Sequence, residues 1–234
     1  MCGRYTQTRE MEALQARFKF EPTDIVLPPR YNLAPGQDAP VIIQEKSRVL
    51  KLMHWGLVPS WAKETSTGYK MINARAETLT QKPSFKKSFQ RRRCLVPADG
   101  FYEWRKNGGR AKTPLRFVLK SGEPFAFAGL WDIWQGSDED ETEGNNRLPL
   151  LSFTIITTEA NDLIRPIHDR MPVILQPKDE DAWLDPDLKD VNKLVSLLVP
   201  YPSDKMMGYE VSSLVNSPKN DTPECLLERR VQNE

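Results

Sequence analysis

The chain is 234 residues long, 39% hydrophobic and 28% charged, which is enough for one domain with a substantial buried core. No apolar run approaches the roughly 18 residues that a membrane span requires, and Arg4, Arg9, Glu10, Glu12 and Arg17 exclude a signal peptide at the start of the chain. Three cysteines without Cys-x-x-Cys spacing and only two histidines, His54 and His168, argue against a disulfide framework and a zinc site.

A soluble, cytoplasmic, monomeric protein with no metal, no cofactor and no membrane partner is expected. The chain opens Met1-Cys2-Gly3-Arg4. Thr8 is placed to cap a short helix whose apolar residues Met11, Leu14 and Phe18 recur at helical spacing. Pro28, Pro29, Pro35 and Pro40 predict an extended, loop-like segment around Tyr31-Asn32-Leu33-Ala34. Strand-like runs follow at Val41–Gln44, Val49–Leu57, Cys94–Val96, Phe101–Arg105, Leu115–Lys120, Phe125–Trp134, Leu150–Thr157 and Val173–Leu175. In one of them Leu115, Phe117 and Leu119 alternate with Arg116, Val118 and Lys120, which predicts one apolar and one more polar face. Helices are predicted over Ser84–Gln90, Glu159–Ile164 and Leu188–Val199, and residues 136–146 read as an exposed acidic loop. Many strands with few βαβ alternations predict an α+β single domain over residues 1–234, built on a curved or barrel-like, mainly antiparallel sheet flanked by helices. Its motifs lie within residues 2–218, and a tail occupies about 219–234.

The net charge of +1 conceals an asymmetry. From Thr78 to Lys120 there are 12 Lys and Arg against Asp99 and Glu103, while the rest of the chain carries 21 basic and 30 acidic residues. The densest part, Lys86, Lys87, Arg91, Arg92 and Arg93, predicts a positive face for a polyanion, with aromatic residues interleaved.

Initiator methionine is usually trimmed before a small side chain. Trimming here would leave an amine and a thiol on the same residue, Cys2. Such a 1,2-aminothiol condenses with an aldehyde: the amine adds first, and the thiol then closes a five-membered thiazolidine. An α-amino group, with a pKa of roughly 7.7–8.0, is largely available for this at neutral pH. Three internal segments supply polar groups for such a site. Asn73 and Arg75, in Ile72–Glu77, point to one side of an extended chain. Glu103, in Ala98–Trp104, shares a strand face with Phe101, opposite Tyr102 and Trp104; a carboxylate among aromatics is desolvated and suited to proton transfer. His168 directly precedes an apolar run that begins at Met171.

Six segments occur in this order: Met1-Cys2-Gly3-Arg4, Tyr31-Asn32-Leu33-Ala34-Pro35-Gly36, Trp55-Gly56-Leu57-Val58-Pro59-Ser60-Trp61, Ile72–Glu77, Ala98–Trp104 and His168-Asp169-Arg170-Met171-Pro172. Together they resemble the SOS response-associated peptidase (SRAP) family, whose members shield abasic sites in DNA. The resemblance implies that Cys2, freed of Met1, forms an imine and then a thiazolidine with the aldehyde of a ring-opened abasic deoxyribose. It implies that Asn73 holds the Cys2 amine or the sugar hydroxyl, that Glu103 gives and takes protons at the imine step, and that His168 handles the proton of sugar-ring opening. It further implies that Arg4 and Arg75 contact phosphates, that Trp61 and Trp104 stack on bases, and that the partner is single-stranded or junction DNA containing abasic sites. The peptidase label would refer to removal of Met1, autocatalytically or by another enzyme.

Two other function classes share some of these features. Class II glutamine amidotransferases also begin Met-Cys-Gly and would release ammonia from glutamine without DNA. A non-covalent single-stranded DNA-binding module would leave no adduct after denaturing electrophoresis.

Overall fold

The computed structural model describes residues 2–109, 112–136 and 148–229. The predicted acidic loop, apart from Gly136, and the end of the predicted tail lie outside them.

Five strands close into a barrel. In order around it they are β3 (Asp38–Gln44), β4 (Arg48–Trp55), β10 (Leu150–Glu159), β9 (Phe125–Trp134) and β6 (Arg93–Ala98), which returns to β3. Only the β4–β10 pairing is parallel. Beyond β4, the short β5 (Asn73–Arg75) pairs parallel to β10, and β11 (Arg170–Pro172) pairs antiparallel to its last residues. A second, antiparallel sheet has the order β12 (Met206–Glu210), β8 (Lys112–Leu119), β7 (Gly100–Lys106), β1 (Tyr5–Gln7), β2 (Arg30–Leu33). The expected α+β architecture with a barrel-like sheet is present.

Period-2 alternation assigns each barrel strand two apolar faces. Val41, Ile43, Met53, Trp55, Val96, Phe127, Phe153 and Ile155 point inward and share one core with Tyr5, Phe101 and Phe117 of the second sheet. The alternate residues Ile42, Leu95, Ala126, Ala128, Leu130 and Ile156 form a second core under the helices. These are α1 (Met11–Phe18), α2 (Pro83–Arg91), α3 (Glu180–Leu184) and α4 (Val191–Ser196), which contribute Phe18, Phe89, Trp183 and Leu194. The site lies on the side of the first core, where the barrel meets the second sheet.

Several sequence expectations are corrected. Thr8 does not cap α1, whose N-cap is Glu10; its N–H and hydroxyl both donate to the Asp99 carboxylate. Residues 159–164 are not a helix, because β10 runs through Glu159 to pair with Arg170 and the chain then turns around Asn161. The predicted helix over 188–199 is confined to Val191–Ser196, where Asp190 accepts from the N–H groups of Asn192 and Lys193 and sets its start. Tyr31–Leu33 is strand β2 rather than loop. On the more polar face of β8, Arg116 is buried and reaches Asp99 at 3.1 Å.

That last pair is the centre of a buried network. Asp99 also accepts from Thr6 and Thr8, and Arg116 donates to Tyr209 at 2.7 Å and Thr6 at 3.0 Å. The Arg116 guanidinium lies across Gly100, where a Cβ would meet it at 2.7–2.9 Å, so the Asp99-Gly100 dipeptide is needed as it stands. Asp99→Ala leaves Arg116 buried without its counter-charge. It should lower unfolding stability by about 3–5 kcal/mol, read as a shift of the denaturant midpoint.

The basic stretch is also divided. Arg93 is buried and donates to the carbonyls of Trp183, Phe89 and Gln90 at 2.7–3.0 Å. Arg92 pairs with Asp132, and Arg105 with Glu210. Lys86, Lys87 and Arg91 stay exposed on α2, over the second core, so the stretch does not form one continuous positive face.

Candidate active site

Strand β1 lies between β2 and β7, with Tyr5 opposite both Leu33 and Phe101, and Tyr102 N–H donates to the Arg4 carbonyl at 3.0 Å. This pairing carries the residues before Tyr5 alongside Glu103 of β7. Cys2 is fully buried there. Asn73 Nδ2 donates to its carbonyl at 2.9 Å and to the Ile72 carbonyl at 2.7 Å. Asn73 itself is held by β5 on β10, opposite Ile155. One amide side chain therefore bridges the barrel and the N-terminal segment of the second sheet.

Glu103 is 5% exposed and sits opposite Leu115 of β8. Burial pushes its carboxyl up to about 7. The Cys2 thiol is also raised, first by burial and then by the Glu103 carboxylate, while the Arg4 N–H bonded to the sulfur pulls the other way. The thiol is protonated at neutral pH, and the Glu103 carboxylate is close enough to act on it electrostatically.

Glu103 and His168 line one hollow of about 560 Å³, together with Trp104, Asp169, Lys106 and Lys112. His168 follows the turns that start at Asn161, and its Nδ1 has two neighbours. Arg170 N–H donates to it at 3.0 Å, and an Asp169 carboxylate oxygen lies 2.9 Å away. The first contact fits a neutral ring with its proton on Nε2; the second fits a ring with a proton on Nδ1, neutral or charged. Burial, the largest cause, holds the pKa below its ordinary value, so the neutral form dominates at pH 7.

The residues expected to contact DNA are placed unevenly. Trp104 lines the hollow, donates from Nε1 to Asn216 at 2.7 Å, and lies 5.9 Å below the Arg4 guanidinium. Arg4 is engaged within the protein: it donates to Asn32 Oδ1 at 2.8 Å and to the Val215 carbonyl at 2.7 Å, which braces β1 against the 213–216 turn. Arg75 is exposed on β5, and Trp61 is 60% exposed in the turn after β4; neither lines the hollow. The turn before Trp61 needs Gly56, which has φ +138° and lies so close to Gly68 that a Cβ would meet the Gly68 carbonyl oxygen at 2.8 Å.

Two supports were not anticipated. Asn32 is fully buried; besides accepting from Arg4, it donates to the carbonyls of Val215, Ser217 and Asn220 at 2.8–3.2 Å. Arg170 makes a two-pronged ion pair with Glu77 at 2.7 and 2.9 Å, tying the Asn73 segment to the His168 segment. All three residues lie inside recognised motifs, but nothing local shows which distant groups they reach. Among the described residues there is no cluster of three or more His, Cys, Asp or Glu able to hold a metal ion, and no helix is long and apolar enough to cross a membrane.

The chain matches the family described as SOS response associated peptidase (SRAP) over residues 1–218. It is 49% identical over 232 residues to the abasic site processing protein YoqW of Bacillus subtilis, covering 97% of this chain and 99% of that one. It is 34% identical to the abasic site processing protein HMCES of Gallus gallus, covering 85% of this chain and 66% of that one. A solved structure of a protein from Bacteroides thetaiotaomicron matches with a TM-score of 0.85 at 29% identity, covering 98% of this chain and 100% of the other. With its motifs, its barrel and a match running from the first residue to residue 218, the chain belongs to the SRAP family.

Proposed function

We propose that this protein processes abasic sites in single-stranded or junction DNA by forming a reversible thiazolidine between Cys2, freed of Met1, and the ring-opened deoxyribose. Relatives named for abasic site processing support the substrate class. The observation that carries the chemistry is the meeting of a buried Cys2, held through its carbonyl by Asn73, with a buried Glu103 poised near neutrality.

The Cys2 amine adds to the C1′ aldehyde, and Glu103 protonates the carbinolamine hydroxyl, which leaves as water to give the imine. The thiol then adds to the same carbon, forming the C–S bond, while its proton passes through Glu103 to the nitrogen. A carboxyl near pH 7 can both give and take a proton at these steps. Ring closure also protects the strand: an imine acidifies the C2′ protons and promotes loss of the 3′ phosphate, and a saturated carbon does not. Asn73 orients Cys2 without adding a competing charge. The neutral His168, with its proton on Nε2, donates toward the sugar oxygen during ring opening.

Trp104 and Trp61 serve as stacking surfaces and Arg75 as a phosphate ligand, with Arg4 acting mainly as a brace. Trp61→Ala should weaken single-stranded DNA binding by roughly 1–3 kcal/mol, measured by fluorescence anisotropy; unchanged affinity removes Trp61 from the interface. His168→Ala should slow transfer of the adduct to excess competitor by about 10²-fold or more with near-normal DNA binding. Reversal at the parent rate would defeat its role.

The decisive test is intact-mass analysis after incubation with an abasic single-stranded oligonucleotide. The expected species has the mass of the protein without Met1 plus the DNA, less one water. The proposal fails if no adduct forms, or if the adduct retains Met1.

A further inference from the structure

The hollow that holds Glu103 and His168 has a cationic wall that none of the steps above uses. Lys106 and Lys112 are directly paired at the end of the β7–β8 hairpin next to its connecting loop, and both are exposed. Like charges directly opposite on an antiparallel pair destabilise it. Among the described residues neither ammonium has a carboxylate within ion-pair distance, whereas the neighbouring Arg105 is neutralised by Glu210. Asp169, the exposed carboxylate of the same hollow, lies against His168. Two unneutralised cations facing one space form a site for an anion. Their position limits which anion. Strand alternation places Lys106 on the same face as Trp104, one pleat further along and about 7 Å away. An aromatic ring followed by a cation pair suits a base followed by a backbone phosphate. The Lys106 charge also acts on His168, adding to burial in holding the imidazole below its ordinary pKa, so the ammonium is electrostatically part of this hollow.

We propose that Lys106 and Lys112 clamp one backbone phosphate at the mouth of the hollow, holding the strand while its sugar reaches Cys2. The clamp rests on the reading of the hollow as the abasic-site pocket, and its test separates the two. Binding of an intact single-stranded oligonucleotide, with no abasic site, is measured across a range of salt for the parent and for K106A/K112A. The log–log slope should become shallower by about 0.7, the value for one phosphate contact on a single strand, and K106R/K112R should keep the parent slope. Lys120→Ala, at the far end of β8, should also leave it unchanged. An equal slope in parent and K106A/K112A overturns the clamp, as does an equal loss in Lys120→Ala.

A single uncharged methylphosphonate walked along an abasic oligonucleotide then locates the contact. At one linkage beside the lesion it should weaken binding by the parent and leave K106A/K112A unaffected; equal weakening in both overturns the proposal. Crosslinking is scored in the same samples. Failure of the parent to crosslink defeats the pocket reading, whereas normal crosslinking with an unchanged slope defeats only the clamp.

Discussion

Cys2→Ala and Cys2→Ser should each lose the durable adduct with abasic DNA and leave only an imine, which persists when borohydride reduces it. Both variants keep the amine that forms the imine, so the difference from the parent lies in the second step. In the parent the thiol is held beside the same carbon, and intramolecular closure corresponds to an effective concentration on the order of 10⁵ M or more in well-oriented cases. Serine places a poorer nucleophile there, and alanine none. The protein should nonetheless fold, because the Cys2 carbonyl, not the side chain, accepts from Asn73. The measurement is denaturing electrophoresis over time, with and without reductant. A Cys2→Ser adduct as durable as the parent's would refute the thiazolidine.

Glu103→Gln should reduce crosslinking by about 10²–10⁴-fold, the usual contribution of a positioned proton-transfer group, and should raise stability above pH 7. The two effects have one cause. Burial raises the Glu103 carboxyl from 4.5 to about 7, so between those values the folded state keeps a proton that the unfolded state has lost. Stability contributed by that proton is fully present below about pH 4.5 and declines as pH rises through 7, by a total on the order of 3 kcal/mol. Glutamine cannot ionise, so the variant escapes this decline and loses the proton carrier at the same time. Parent crosslinking should change with an inflection near pH 7 that the variant lacks. Denaturant unfolding at pH 5 and pH 8, with single-turnover crosslinking at the same values, checks both; an undiminished rate in Glu103→Gln would remove Glu103 from the chemistry.

The sequence by itself determined the features that depend on neighbours along the chain. The order of six short motifs carried the family, because each keeps its residue types at fixed spacing. Period-2 alternation placed Phe101 and Glu103 on one face of β7, and the structure buries both. The strand-like apolar runs Val41–Gln44 and Phe125–Trp134 marked strands that became the barrel wall.

The partner of each polar group, by contrast, was decided by tertiary structure. Thr8 had cap chemistry, yet its hydroxyl went to Asp99, 91 residues away. Arg4 had the charge for a phosphate, yet its donors met Asn32 and the Val215 carbonyl. The basic run was separated because β6 turned Arg93 inward while α2 turned Lys86 and Lys87 outward. The meeting of Cys2, Asn73 and Glu103, and the hollow shared by Glu103 and His168, likewise arise from strand pairings between distant segments. Periodicity and side-chain chemistry are local and therefore readable in order. The choice among several chemically suitable partners is made only when the chain closes on itself and each buried donor must find an acceptor.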